Sequence, residues 1–484
     1  MSGLMALFPT STRRPSRFIV MFTVVAAVVV FALVMNGESA ILANAGVDRL
    51  CSGVDSALLD WSHQSPSHVQ TPLSTGLNAM DLTRSWHKHE TKFMRGHAGF
   101  MMFENLYLHK GVFYAITSDP SSIPETDKIL SDPPIPKDTY DINPPATSKR
   151  WQVLTPAEAD QSLGGRTAGV LAGTSMLFND GPGKRGFLAH YFHFVAEVFG
   201  GGWRVMASSP SNLAKNSAAD MSFPARIMMP RGDDWRDTRA SLIVWFLSTI
   251  LPNTAVEDVY QWEDRVKSGA THVFSEIVIV DRWTAHRAQG SQAQIWNKMT
   301  ADIMASKAPV DWWAPLRTSL MHRLGIENNH RDRPVVTYID RQATTRRLVD
   351  EDHTVLAAAL TKFGEEHNVE VNQVQMEFLS KKDQFDISTR TNIVIGVHGN
   401  GLTHQMWMKP GGKVLEFYDT GGFMRDYQLL AEAMHHTHYV IWNDTIEDSW
   451  REKQRTQTTP NFHNVRLHAP FIIELLTTLV KEYR

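Results

Sequence analysis

From Pro334 to Trp442 strand-length apolar runs alternate with stretches of helical periodicity. The runs Pro334–Ile339, Val369–Phe378, Asn392–Val397, Lys413–Tyr418 and His438–Trp442 predict strands. Between them, Asp350–His367, Lys382–Thr389, Leu402–Met408 and Phe423–His435 predict helices. Strands covered on both faces read as nearly continuous apolar runs, so this alternation predicts a parallel, doubly wound α/β sheet.

The first half follows a looser version of the same pattern. Phe100–Leu108 and Val112–Thr117, joined by His109-Lys110-Gly111, predict a β-hairpin. A Pro- and Asp-rich loop over 118–150 leads to a strand at Ala168–Phe178 and a helix at Phe187–Phe199. Strand Arg226–Met229, helix Thr238–Leu251 and strand His272–Val280 follow, then a partly helical Trp283–Ala308, and Trp312–Leu324 leads on to a polar break. The polar break Gly325–Arg333 is the expected linker, separating an α/β domain over 96–330 from a second over 331–445. A tail over 446–484 carries a helix, Pro470–Tyr483, expected to pack back on the second domain.

Phe18–Met35 is apolar except for Thr23, close to the roughly 20 residues that span a bilayer. Arg13, Arg14 and Arg17 precede it and Glu38 and Asp48 follow, so residues 1–17 are expected in the cytosol and the body in the lumen. Ala43-Asn-Ala45 offers a rival reading as a cleaved leader, but the apolar run exceeds an ordinary signal core. Segment 36–95 begins polar and aperiodic and reads as a stem. The formal charge of −3 gives no electrostatic reason to expect nucleic acid as a partner. The single cysteine, Cys51, excludes an internal disulfide, and Asn443-Asp-Thr445 is a sequon.

The candidate chemistry gathers at predicted strand ends. After Asn392–Val397 comes His398-Gly399-Asn400-Gly401-Leu402-Thr403. Its glycines permit a sharp turn and close approach to a ligand, and the helix beyond offers amides of Leu402 and Thr403 to a phosphate. A tight turn with a satisfied histidine fits the same residues, and the spacing is not the dinucleotide fingerprint. Arg341 ends Thr337-Tyr-Ile-Asp-Arg as a candidate diphosphate clamp, with a solvated basic turn as the alternative. Glu416, in the next strand, is placed to accept from ribose hydroxyls or to pair with a neighbour.

In His190-Tyr-Phe-His193-Phe-Val-Ala-Glu197, His193 and Glu197 share a helical face, as an acid–base pair or an ordinary ion pair. Asp350-Glu-Asp352 has the form of an Mn²⁺–nucleotide-sugar triplet, but it opens a helix whose dipole favours acids. His435, His436 and His438 read as helix-end surface, and no metal ligand is assigned.

Taken in order, the His190 segment, Tyr338-Ile-Asp-Arg341, His398-Gly-Asn-Gly-Leu-Thr and Pro410-Gly-Gly-Lys-Val-Leu-Glu416 resemble glycosyltransferase family 61. That family includes plant xylosyl- and arabinosyltransferases and animal O-GlcNAc-type transferases of the secretory pathway. The resemblance implies a GT-B fold of two facing Rossmann-like domains, a UDP-sugar donor and an inverting mechanism. It also implies a glycan or glycoprotein acceptor and a type II anchor in the Golgi or endoplasmic reticulum membrane. Carried over, Arg341 and His398–Thr403 hold the diphosphate and Glu416 lies beside the nucleoside. Family members often carry His-x-Phe-x-Asp; His190 and Phe192 match, whereas Phe194 stands at the Asp position. Glu197 is then the first candidate base, with His190 and His193 behind it. No cofactor is required on this reading; Mn²⁺ is conceivable and not expected. The donor sugar is xylose or N-acetylglucosamine. The alternative is a non-catalytic lumenal glycan-binding homologue.

Overall fold

The computed structural model describes residues 89–132, 144–163, 168–180, 190–231, 242–288, 301–327, 333–447 and 464–484. The expected anchor, most of the stem and Cys51 lie outside them. Among the described residues no helix is long and apolar enough to cross a membrane.

The first sheet contains β1 (Lys92–His97), β2 (Phe100–His109), β3 (Val112–Ile116), β4 (Trp151–Leu154), β5 (Ala168–Phe178), β6 (Arg226–Met228), β7 (Ala255–Glu257) and β8 (Thr271–Val280). Its order is β4-β3-β2-β8-β5-β6-β7, with β1 also paired to β2. The β5–β8, β5–β6 and β6–β7 pairings are parallel, but β2 runs antiparallel to β3 and β8. The expected hairpin forms, with Lys110 and Gly111 both at positive φ as a tight hairpin turn requires. This sheet is therefore mixed, a departure from a pure Rossmann half. The hairpin joins edge-on beside β8, which strand periodicity does not reveal.

The second sheet matches its expected pattern more closely. It contains β9 (Val335–Ile339), β10 (Glu370–Val374), β11 (Ile393–Val397), β12 (Lys413–Tyr418), β13 (Thr437–Trp442) and β14 (Thr445–Ile446). The order is β10-β9-β11-β12-β13-β14, parallel up to β13, with β14 antiparallel at the edge. Chain direction of travel reverses between β9 and β11, which makes the crevice beyond their carboxyl ends the topological switch point.

Helix Asp350–Glu366 and the C-terminal helix Ala469–Leu479 cover one face, packing Leu356, Leu360, Ile472 and Leu476 against Val336, Ile395 and Leu415. The C-terminal helix is thus held on the second sheet. Asp352 accepts from the Leu467 amide (2.9 Å) and from Arg466 Nε (3.1 Å). That ties the acidic triplet to the tail.

The other face shares one apolar cluster with the first sheet. Phe100, Met176 and Val278 meet Phe385, Leu402, Trp407 and Tyr427 there. The expected linker separates the sheets in sequence, yet their cores are continuous. Three glycines make this possible on the first-sheet side. The helix Gly200–Ala207 lies so close to β2 and β8 that a Cβ at Gly201 would overlap the Phe100 ring.

Candidate active site

The His398 turn is dictated by what passes beneath it. Gly399 has φ 151°, and a Cβ there would overlap Arg341 Nη1. A Cβ on Gly401 would fall 2.9 Å from Ile339 Cγ2. The end of β9 and the turn after β11 therefore touch, and Arg341 lies against the His398 loop at the switch point. Burial lowers the Arg341 pKa, opposed by Tyr427 and by Glu377. Its Nε donates to the Arg346 carbonyl (3.2 Å), which fixes the guanidinium's direction.

The segment after the turn winds as a 3₁₀-helix, Asn400–Trp407, instead of an α-helix from Leu402. The Leu402 amide donates to the Gly399 carbonyl at 2.9 Å, and Thr403 follows inside the same winding. This corrects the expectation that Leu402 and Thr403 present free amides. In a 3₁₀-helix the amides without an intrahelical acceptor come earlier, at Asn400 and Gly401.

His398 is buried, with Nδ1 2.5 Å from Glu416 Oε1 and 3.1 Å from the Tyr418 hydroxyl. The second carboxylate oxygen of Glu416 meets His438 Nε2 at 2.7 Å. Burial pushes the Glu416 pKa up, but His398 and His438 outweigh it and hold it at about 2. With 0% of its surface exposed, Glu416 is closed to a ribose hydroxyl. Its position corrects the ribose reading: it orients His398. His436 and His438 are buried, contrary to the surface reading, while His435 is exposed. His436 Nδ1 accepts the Gly412 amide (3.1 Å), and Nε2 lies 3.0 Å from the Gln405 carbonyl. Among the described residues no cluster of His, Cys, Asp and Glu is arranged to hold a metal ion.

On the first sheet, Phe192–Phe199 winds as a π-helix, a form that recurs at functional sites. His193 Nδ1 lies 2.7 Å from Glu197 Oε2. The same oxygen accepts from Arg282 Nη1, and Arg282 also forks onto Asp180 Oδ1 at 3.0 and 2.7 Å. Burial raises the Glu197 pKa, but His193 and Arg282 outweigh it and the net shift is downward. Glu197 is therefore an ionised carboxylate held between two cationic or donor groups. That geometry replaces its reading as the proton acceptor with an orienting role toward His193.

His190, exposed at the start of this segment, packs its ring 4.8 Å from that of His193. Surrounding protein and the neighbouring His193 lower its pKa, an effect that solvent at the exposed ring tempers. Phe194 points away, edge-on to Phe178 in the core. A carboxylate at position 194 would be buried among phenylalanines, so the face carrying His193 and Glu197 is the one available for chemistry.

The two halves are pinned together at this point. Trp407 Nε1 donates to the Tyr191 hydroxyl (3.2 Å). The Tyr427 ring packs 5.1 Å from Phe192 on one side and 5.1 Å from His398 on the other. Beside Tyr427, Asp426 opens the helix Asp426–Ala433; burial raises its pKa to about 6, with His398 and His193 opposing. Sequence reasoning missed Arg282, His438, Tyr427 and Asp426. Arg282 had a readable signal: it follows the apolar strand β8, as Arg341 follows β9.

The family model Glycosyltransferase 61 matches residues 191–415, just under half of the chain, and spans His193, Glu197, Arg282, Arg341 and His398. The chain is similar to glycosyltransferase family 61. Three curated relatives, each named EGF domain-specific O-linked N-acetylglucosamine transferase, align with it. The Bos taurus protein is 31% identical over 125 residues, covering 25% of this chain and 23% of the relative. The Mus musculus protein is 32% identical over the same length. The Drosophila melanogaster protein is 29% identical over 101 residues, covering 21% of this chain and 18% of the relative. The alignment thus spans less than a quarter of each of these relatives.

Proposed function

We propose that the protein is an inverting glycosyltransferase of GT-B architecture that moves N-acetylglucosamine from UDP-GlcNAc to a hydroxyl of a glycoprotein. The observation that carries this reading is the pairing of a His–Glu dyad on each sheet, His193–Glu197 and His398–Glu416, across a seam pinned by Tyr427. The N-acetylglucosamine choice over xylose rests on the names of the relatives. Anchoring through residues 18–35 in a Golgi or endoplasmic reticulum membrane is part of the proposal and rests on the charge asymmetry around that run.

In this reading His193 is the base. Glu197 accepts from Nδ1–H, which leaves the Nε2 lone pair to take the acceptor hydroxyl proton. The acceptor oxygen bonds to the anomeric carbon as that carbon's bond to the diphosphate oxygen breaks, and UDP departs with the electron pair. Arg341, His398 and the amides of Asn400 and Gly401 meet the charge that develops on the diphosphate. These groups supply that stabilisation without a metal ion. The two ionised carboxylates, Glu197 and Glu416, are each engaged by side chains and are not offered to a cation.

Titration calorimetry with UDP tests the donor side. Wild-type affinity is expected to survive EDTA. Arg341→Ala is expected to weaken UDP by about tenfold or more, the scale of a charge-assisted hydrogen bond. Gly399→Ala is expected to act in the same direction, because its new Cβ displaces the Arg341 guanidinium. UDP binding that vanishes with EDTA, or that ignores Arg341→Ala, overturns this donor site.

A further inference from the structure

The electrostatic neighbours of the Asp426 carboxyl group come from both dyads. It interacts with His193 and Glu197 on the first-sheet side and with His398 and Glu416 on the second. Its chain neighbour Tyr427 packs between Phe192 and His398 and is hydrogen-bonded to Thr403. The carboxyl group of Asp426 is therefore near both the imidazole that would face the acceptor and the one that would face the diphosphate, beside a tyrosine that packs against both halves.

In an inverting transfer the sugar occupies the interval between those two imidazoles, with the attacking oxygen on one side of the anomeric carbon and the leaving oxygen on the other. A group beside that interval meets the sugar ring, whose recognisable features are hydroxyl donors. Resting on the donor-site reading above, we propose that Asp426 holds the transferred sugar by accepting hydrogen bonds from its ring hydroxyls, and so selects the donor sugar.

Two features support the assignment. Asp426 is half-buried, so part of its surface stays open to a ligand, unlike the closed Glu416. The helix start fixes its position: Asp426 is the first helical residue, and Tyr427 anchors the same turn to both halves.

The test compares UDP with UDP-GlcNAc and UDP-xylose on the full chain, wild type and Asp426→Asn, by calorimetry. UDP affinity is expected to stay within about twofold in the variant, which also reports a folded site. The affinity for whichever UDP-sugar the wild type prefers is expected to fall by about tenfold or more, the scale of hydrogen bonds to a charged acceptor. Asp426→Glu is expected to recover part of the loss. Equal losses for UDP and UDP-sugar, or no loss for either, overturn the sugar-binding role while leaving the donor site standing. A wild-type chain that binds none of the three overturns the donor site itself, and this role with it.

Discussion

His193→Gln is expected to lower the rate of sugar transfer by about 10²–10⁴-fold, the range over which a positioned general base contributes. Three side chains set up this base. Arg282, fully buried, clamps Asp180 and Glu197. Glu197, kept ionised by Arg282 and His193, turns Nδ1 of His193 toward itself. Only Nε2 is then left to receive a proton. Glutamine at 193 keeps a polar group near Glu197 and cannot take up that proton. Because the diphosphate contacts lie on the other sheet, UDP affinity is expected to remain within about twofold. That split between turnover and product binding separates a base from a structural residue. Measured with UDP-GlcNAc and a glycoprotein acceptor, transfer by His193→Gln at the wild-type rate would sink the assignment of the base. The parallel variant Glu197→Gln is expected to slow transfer less, since an amide oxygen still accepts from Nδ1–H but no longer stabilises an imidazolium.

The second large effect is on stability. Arg282→Met is expected to cost about 3–5 kcal/mol, because it leaves Asp180 and Glu197 buried without their cation. Arg282 is 0% exposed and both carboxylates are buried, so solvent offers no substitute partner. Desolvation alone pushes both carboxyl groups toward the neutral form; Arg282 opposes this at Asp180, and His193 and Arg282 together oppose it at Glu197. Urea denaturation followed by tryptophan fluorescence measures the loss. Arg282→Lys provides the comparison: it keeps the charge and gives up the fork that reaches two carboxylates at once. A midpoint for Arg282→Met equal to that of wild type would show that the cluster contributes nothing to folding.

Much of the second sheet was legible because its physics is local. Strands buried on both faces, such as β11 and β12, must be apolar along their length, and that reads directly as a run. The His398 turn announced itself because Gly399 and Gly401 sit where any side chain collides with Arg341 or Ile339. Arg341 was legible as a strand-end cation, and the structure places it against that same turn. In the first half, β8 and the buried end of β5, residues 175–178, were legible for the same reason as β11. The antiparallel entry of β2 beside β8 was not, since pairing between strands so distant in the chain leaves no periodic mark.

Roles within the site followed the same division. The sequence by itself marked the candidates, His190, His193, Glu197, Arg341, His398 and Glu416, because strand ends and helical spacing are properties of neighbours along the chain. Which of them are enclosed by other side chains was decided only by the tertiary structure. Glu416 withdrew behind His398 and His438, and Glu197 behind His193 and Arg282, because a buried carboxylate is stable only when donors from other strands enclose it. The amides left without an intrahelical acceptor moved from Leu402 and Thr403 back to Asn400 and Gly401, because the segment winds as 3₁₀ and Leu402 already donates to Gly399. Asp426 gained neighbours in both dyads from the same assembly: no local pattern marks a carboxyl group whose neighbours arrive from two different parts of the fold.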